Sequence, residues 1–128
     1  MATAYNDVPY GSQIVLPCIA GSGGVVKNTF VSVAENVATT ATSGHAYIAV
    51  QTADEGTAVD VVVAGAALLT VNGNSTAIAA GAKIKPTTAG YGVVAGTTKD
   101  AYSCLAIGAA TTAADVIRVV LAHGVANI

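Results

Sequence analysis

The chain has 128 residues, a net charge of −2 and 9% charged residues, against roughly 25% in an ordinary globular domain. That length suits one domain with a packed core. The five basic residues (Lys27, Lys83, Lys85, Lys99 and Arg118) are scattered apart from Lys83 and Lys85, which argues against nucleic acid as a partner. Hydrophobic residues make up 53% of the chain, but there is no Trp and one Phe, so Ala, Val, Thr and Gly dominate. This mixture fits flat β-surfaces and closely packed subunits better than an aromatic-lined ligand pocket.

No window reaches the ~20 apolar residues of a membrane span, so no membrane is expected as a partner. The first residues, "MATAYNDVPYGS", lack the basic and apolar regions of a signal peptide. The expectation is a protein made in the cytoplasm of a cell and kept there until some assembly carries it out. Cys18 and Cys104 are then expected as buried thiols, with a pairing between them left open.

In chain order, residues 1–12 have no periodicity and read as an extended arm. Residues 13–128 read as a single β domain. "QIVLPCIA" at 13–20 is a short strand broken by Pro17, and hence an edge. "GSGG" at 21–24 is a turn, "NTFVSVAE" at 28–35 a strand, and "NVATTATSG" at 36–44 a polar loop. "AYIAVQT" at 46–52 and "AVDVVVAG" at 58–65 are strands flanking a polar turn that ends in Gly56. "AALLTV" at 66–71 leads to Asn72-Gly73, a short-hairpin signal. "AKIKPT" should place Ile84 inward with Lys83 and Lys85 outward. A tight turn and short strand follow at 89–96, and another strand at 103–109. Turn signals at roughly ten-residue intervals predict an all-β fold, a small single-domain β-barrel or sandwich built of short strands and tight turns.

The last stretch, "TTAADVIRVVLAHG" at 111–124, has two readings. Thr112 and Asp115 have capping-box spacing before a helical face, while the β-branched run also alternates as a strand. An internal echo decides between them. "YIAVQTADEGTAVDVVVAG" from Tyr47 and "CLAIGAATTAADVIRVVLAHG" from Cys104 share a short apolar strand, a small polar turn and a Val-rich run. The first copy reads as a strand, so the second is expected to be one too.

Catalytic chemistry is sparse, and the chain is not expected to be an enzyme or to carry a metal or cofactor. His45 reads as a surface-loop residue and His123 as a structural or solvent-facing one after the last strand. Ser43, His45 and Asp54 form a triad only on paper, without a nucleophile elbow. "GSGG" lacks phosphate-loop spacing, Asp54, Glu55 and Asp60 lack calcium-loop spacing, and Asn74-Ser75-Thr76 reads as turn chemistry. Arg118, the only Arg, lies inside an apolar strand. It is either an outward residue paired with Asp60 or Asp115, or an anchor at a subunit interface.

The strings "AIAAGAKIKPTTAGYGVVAG" at 77–96 and "CLAIGAATTAADVIRVVLAHG" at 104–124 resemble the phage capsid cement, or head-decoration, proteins. These carry an "iaaGdkv" turn into a strand and an "iGvAl-aaaaGd-irVlL" ending. "YIAVQTADEGTAVDVVVAGAALL" is similar to their middle hairpin, so the likeness covers about residues 46–124. Ala82 stands where that family often has Asp, and Ala113-Ala114 precede Asp115 where Gly-Asp is usual. The resemblance implies an all-β, non-enzymatic virion protein on the outer surface of an icosahedral phage head. It also implies a homotrimer that contacts the major capsid protein and stabilises the shell. On that reading the arm around Tyr5, Val8, Pro9 and Tyr10 would lie on the capsid or a neighbouring subunit. The alternatives are a phage tail or fibre module recognising a host glycan or receptor and, distantly, a small β-barrel hydrolase.

Overall fold

The ambiguous stretch at the end of the chain is a turn followed by a strand. The computed structural model describes residues 13–74, 76–96 and 100–125, and these form ten strands. They are β1 (Ile14–Ala20), β2 (Phe30–Ala34), β3 (Val37–Thr40), β4 (Tyr47–Ala49), β5 (Ala58–Ala64), β6 (Ala66–Val71), β7 (Lys83–Pro86), β8 (Gly92–Val94), β9 (Ala101–Ala106) and β10 (Asp115–Val125). A 3-10 turn at Thr88–Gly90 is the one helical element among the described residues. The protein is all-β, as its turn spacing implies.

Three local expectations are corrected. The polar segment after Asn36 contains β3, entered by a two-residue turn in which Glu35 and Asn36 both have positive φ (51° and 67°). Such a turn matches the twist of a tight hairpin. Only Ala38 of this strand is fully buried, so its Thr residues hide the period-2 pattern. Pro17 does not break β1, which pairs with β5 from Ile14 to Ile19 but with β3 only at Ile19 and Ala20. On the β3 side Pro17 has no ladder partner, so its missing N–H costs nothing there. Asn72-Gly73 is not a hairpin turn. The Gly73 N–H donates to the Thr112 carbonyl at 3.0 Å, and a Cβ at Gly73 would lie 2.6 Å from the Ala110 carbonyl oxygen. Glycine is required there for close backbone approach rather than for a turn.

The strands close into two five-stranded barrels, β1-β3-β2-β4-β5 and β10-β6-β8-β7-β9. Closure shortens the free sheet edge, the usual hazard of a small β-protein, to the parts of β1 before Ile19 and of β6 before Val71 that have no ladder partner on their parallel side. The two barrels repeat each other. β1 lies parallel to β3 and antiparallel to β5, and β6 does the same with β8 and β10. The remaining three pairings in each barrel are antiparallel and correspond one to one. Even the isolated bridges match, Val25 with Ala53 and Ile78 with Ala110. The register makes Ala49 the twin of Ala106, Val61 of Val119, and Tyr47 of Cys104. The last pair is also the starting point of the echo in the sequence.

Burial follows the same logic. Inside the first barrel, Cys18, Ala20, Val31, Ala38, Ala49, Val59 and Val61 pack together. The second cluster joins Leu69, Val71, Ile84, Cys104, Ile117 and Val119 of the second barrel to Phe30, Ile48 and Val62, which face outward from the first. Burying each such large side chain contributes roughly 1.5–3 kcal/mol relative to exposure. Phe30 and Val31 are therefore both buried although adjacent, one serving each cluster. Backbone bonds reinforce the junction: the Thr70 N–H donates to the Asn28 carbonyl at 2.7 Å, and the Leu121 N–H to Gly65 at 2.9 Å.

Candidate functional site

The side chains with catalytic potential are tied into structure. His45 and His123 do not stand apart: their rings meet at 5.2 Å. His45 Nε2 lies 3.1 Å from the Gly124 carbonyl oxygen, and His123 Nε2 lies 2.8 Å from the Ala46 carbonyl oxygen. A carbonyl only accepts, so each Nε2 carries the hydrogen and donates. His123 belongs to β10 rather than to the segment after it, and the edge of Tyr47 meets its ring at 5.1 Å. The two histidines thus latch the end of β10 to the start of β4. Alongside them the buried Ser103 hydroxyl oxygen accepts from the Ala46 N–H at 2.8 Å.

Both cysteines are free and buried, and neither is activated. Burial pushes the Cys104 thiol well up, and burial followed by the nearby Asp60 carboxylate raises Cys18. A raised thiol is a poor nucleophile. Among the described residues no three His, Cys, Asp or Glu side chains gather to hold a metal. Glu55 instead accepts from the Gly23 N–H at 3.3 Å, so the acidic hairpin tip holds the glycine turn in place. Asn72 Oδ1 accepts from the Asn74 N–H at 3.0 Å, which is the turn chemistry expected of the sequon-like stretch.

The surface is more informative. Tyr5, Val8, Pro9 and Tyr10, expected at the contact with a capsid or subunit, lie outside the described residues. Arg118 is exposed on β10, opposite Leu68 of β6. Its expected ion pair with Asp60 or Asp115 is not formed. Among the described residues the salt bridge is Lys85–Asp100, at 2.9 Å. The reason is topological, because Asp60 belongs to the other barrel and the Asp115 carboxylate is engaged by Thr112 at 3.3 Å. Arg118 instead borders a shallow depression of about 420 Å³ formed with Leu68, Ile107, Gly108, Ala109 and Val116. Val116 and Ile107 are 50% and 47% exposed there. Strand alternation in β10 places Val116 beside Arg118, a signal open to sequence reading, whereas Ile107 lies in a turn that carries no period. On the first barrel Ile14, Val15, Ile19 and Val37 are also exposed.

Comparison with protein-family models finds no match, and comparison with curated proteins finds none. A solved structure does match. The chain is similar in fold to the head fiber gp8.5 N base in bacteriophage phi29. The TM-score is 0.63 at 16% identity, covering 87% of this chain and 95% of that one. At that identity the likeness to the head-fibre base is one of fold. It spans both barrels, because no single barrel accounts for 87% of the chain. The resemblance to cement proteins is carried by the motifs at 77–96 and 104–124 and has no matching family beside it.

Proposed function

We propose that this chain is a non-enzymatic structural protein of a phage virion. It binds the outer surface of an icosahedral head through the major capsid protein, as a trimer, and stabilises the shell. The observation that supports this most is the two-barrel fold shared over most of both chains with a protein named as a phage head-fibre base. The cement-protein motifs point to the same surface from a different direction. The described side chains agree with a clamp: thiols are buried, histidines serve as latches, and exposed β-branched residues line shallow surfaces. Three joined copies would each add a modest contact, and avidity can exceed single-site affinity by roughly 10²–10⁴-fold.

The test is co-sedimentation with emptied, undecorated heads. A head-surface protein rebinds in a fixed ratio to the shell lattice and raises the temperature at which the shell opens. A chain that leaves the heads bare at saturating concentration, yet binds host glycan or cell surface, is the fibre module instead. In the same assay, removing residues 2–11 is expected to lower capsid occupancy, because the aromatic groups of Tyr5 and Tyr10 would anchor the contact. Unchanged occupancy and shell stability would remove the arm from the interface.

A further inference from the structure

The repeat of the barrels places Asp60 and Arg118 at the same structural position. Asp60 lies opposite Pro17 in the β1–β5 ladder, and Arg118 lies opposite Leu68 in the β6–β10 ladder. The Asp60 carbonyl accepts from the Val50 N–H at 2.9 Å, and the Arg118 carbonyl accepts from the Ile107 N–H at 2.8 Å. The twin positions therefore carry opposite charges, and neither makes an ion pair among the described residues. Each charge has apolar neighbours on its own and the adjoining strand, with Gln51 also beside Asp60, where its Oε1 accepts from the Asp60 N–H at 2.9 Å. Around Asp60 the outward residues are Pro17, Ile19 and Ala58, with Val37 beside Ile19. Ile19 and Val37 are 44% and 40% exposed. Around Arg118 the depression is lined by Leu68, Ile107 and Val116. One face thus presents projecting β-branched side chains with a carboxylate, and its twin presents a shallow apolar hollow with a guanidinium.

We propose that these two faces bind each other between copies of this chain, the Asp60 face of one protomer seated on the Arg118 face of the next. The contact is head-to-tail, each chain offering one of each face, and the proposal takes its rotation to be one that closes three copies into a ring rather than an open filament. Arg118 pairs with Asp60 of the neighbouring copy, which would complete two charges that form no ion pair among the described residues. The apolar residues around them exclude water and strengthen the pair. The proposal deepens the head-surface reading by naming the trimer contact, and it rests on the multisubunit part of that reading.

The experiment is sedimentation equilibrium on the full chain and on three variants, Asp60→Arg, Arg118→Asp and the double exchange. The wild type is expected to form a closed oligomer. Each single reversal sets like charges together and should raise the dissociation constant at least ~10-fold. The double exchange should restore it, whereas mixing the two single variants should give complementary heteromeric pairs, which verifies that each is folded, but not a closed ring of three, where two copies of one variant must meet. The neutral variants Asp60→Asn and Arg118→Gln should weaken association less than the reversals. A wild-type monomer at millimolar concentration, an oligomer indifferent to both reversals, or a double exchange that fails to reassemble would overturn the proposal. Head binding is measured on the same samples. Oligomers that ignore the reversals but still rebind heads sink this contact alone, whereas charge-dependent oligomers that never bind heads sink the head-surface reading alone. A wild-type monomer whose head binding is lost on reversal would assign the faces to the capsid protein and overturn the self-contact.

Discussion

Ala114 occupies left-handed backbone, with φ of 62°, at the turn that launches β10. A Cβ is unfavourable in that region, and glycine adopts it freely. The cement-protein pattern usually has glycine just before this aspartate, and alanine here holds the left-handed conformation at the expense of strain. Ala114→Gly is expected to stabilise the protein by about 0.5–1 kcal/mol, read as a higher urea midpoint with an unchanged slope. The next residue, Asp115, accepts hydrogen bonds from Thr112, first from its side chain and then from its backbone, and these hold its carboxyl below the ordinary carboxylate value. A depressed folded pKa contributes stability above the unfolded value, near about 4, and loses it as pH falls through the folded value. Asp115→Asn should therefore flatten the acid limb of the stability profile below about pH 4, with little change in its slope near neutrality. Chemical denaturation at a series of pH values checks this. Thr112 and Asp115 use their capping-box chemistry, but in a turn.

Strands whose apolar residues obey period 2 were legible from sequence: β5, β6, β7 and β10 all lie where alternation puts them, with Ile84 inward and Lys83 outward. β3 was not legible, because its outward Thr residues look like loop and its hairpin with β2 turns on Glu35-Asn36, a pair without the glycine that usually marks such a turn. Pro17 misled for a similar reason, since partial pairing with β3 lets a central strand behave as an edge at one residue. Phe30 shows what local pattern omits. It points away from the interior of its own barrel and is fully buried by the other. Phe30→Ala is expected to cost about 3–5 kcal/mol, a large share of the 5–15 kcal/mol typical of whole domains. Thermal melts should show the loss as a single shifted transition, because the cavity opens in the cluster that both barrels share.

At the scale of the molecule, the echo between 47–65 and 104–124 exposed two strands of each copy, while the other three had drifted too far to recognise. Phe30 is twinned with Lys83, a change that follows from one copy facing its sister where the other faces outward, and Val37 is twinned with Tyr91. The proposed contact between copies was hidden by the same loss. Arg118 could be picked out as a lone cation in an apolar strand, but its twin Asp60 becomes visible only when the two ladders are laid side by side.

That likeness also endangers the chain while it folds. Ten short strands with two interchangeable blueprints offer each strand a plausible wrong berth, so a half-formed first barrel could capture β6 in place of β1. Unlike side chains at twin positions act as proofreading: Lys83 is a poor substitute where Phe30 must be buried, and Cys104 leaves a void where Tyr47 packs. Rewriting β7 and β9 with the sequences of β2 and β4 is therefore expected to lower the yield of refolding from urea and raise aggregation, measured by light scattering after dilution.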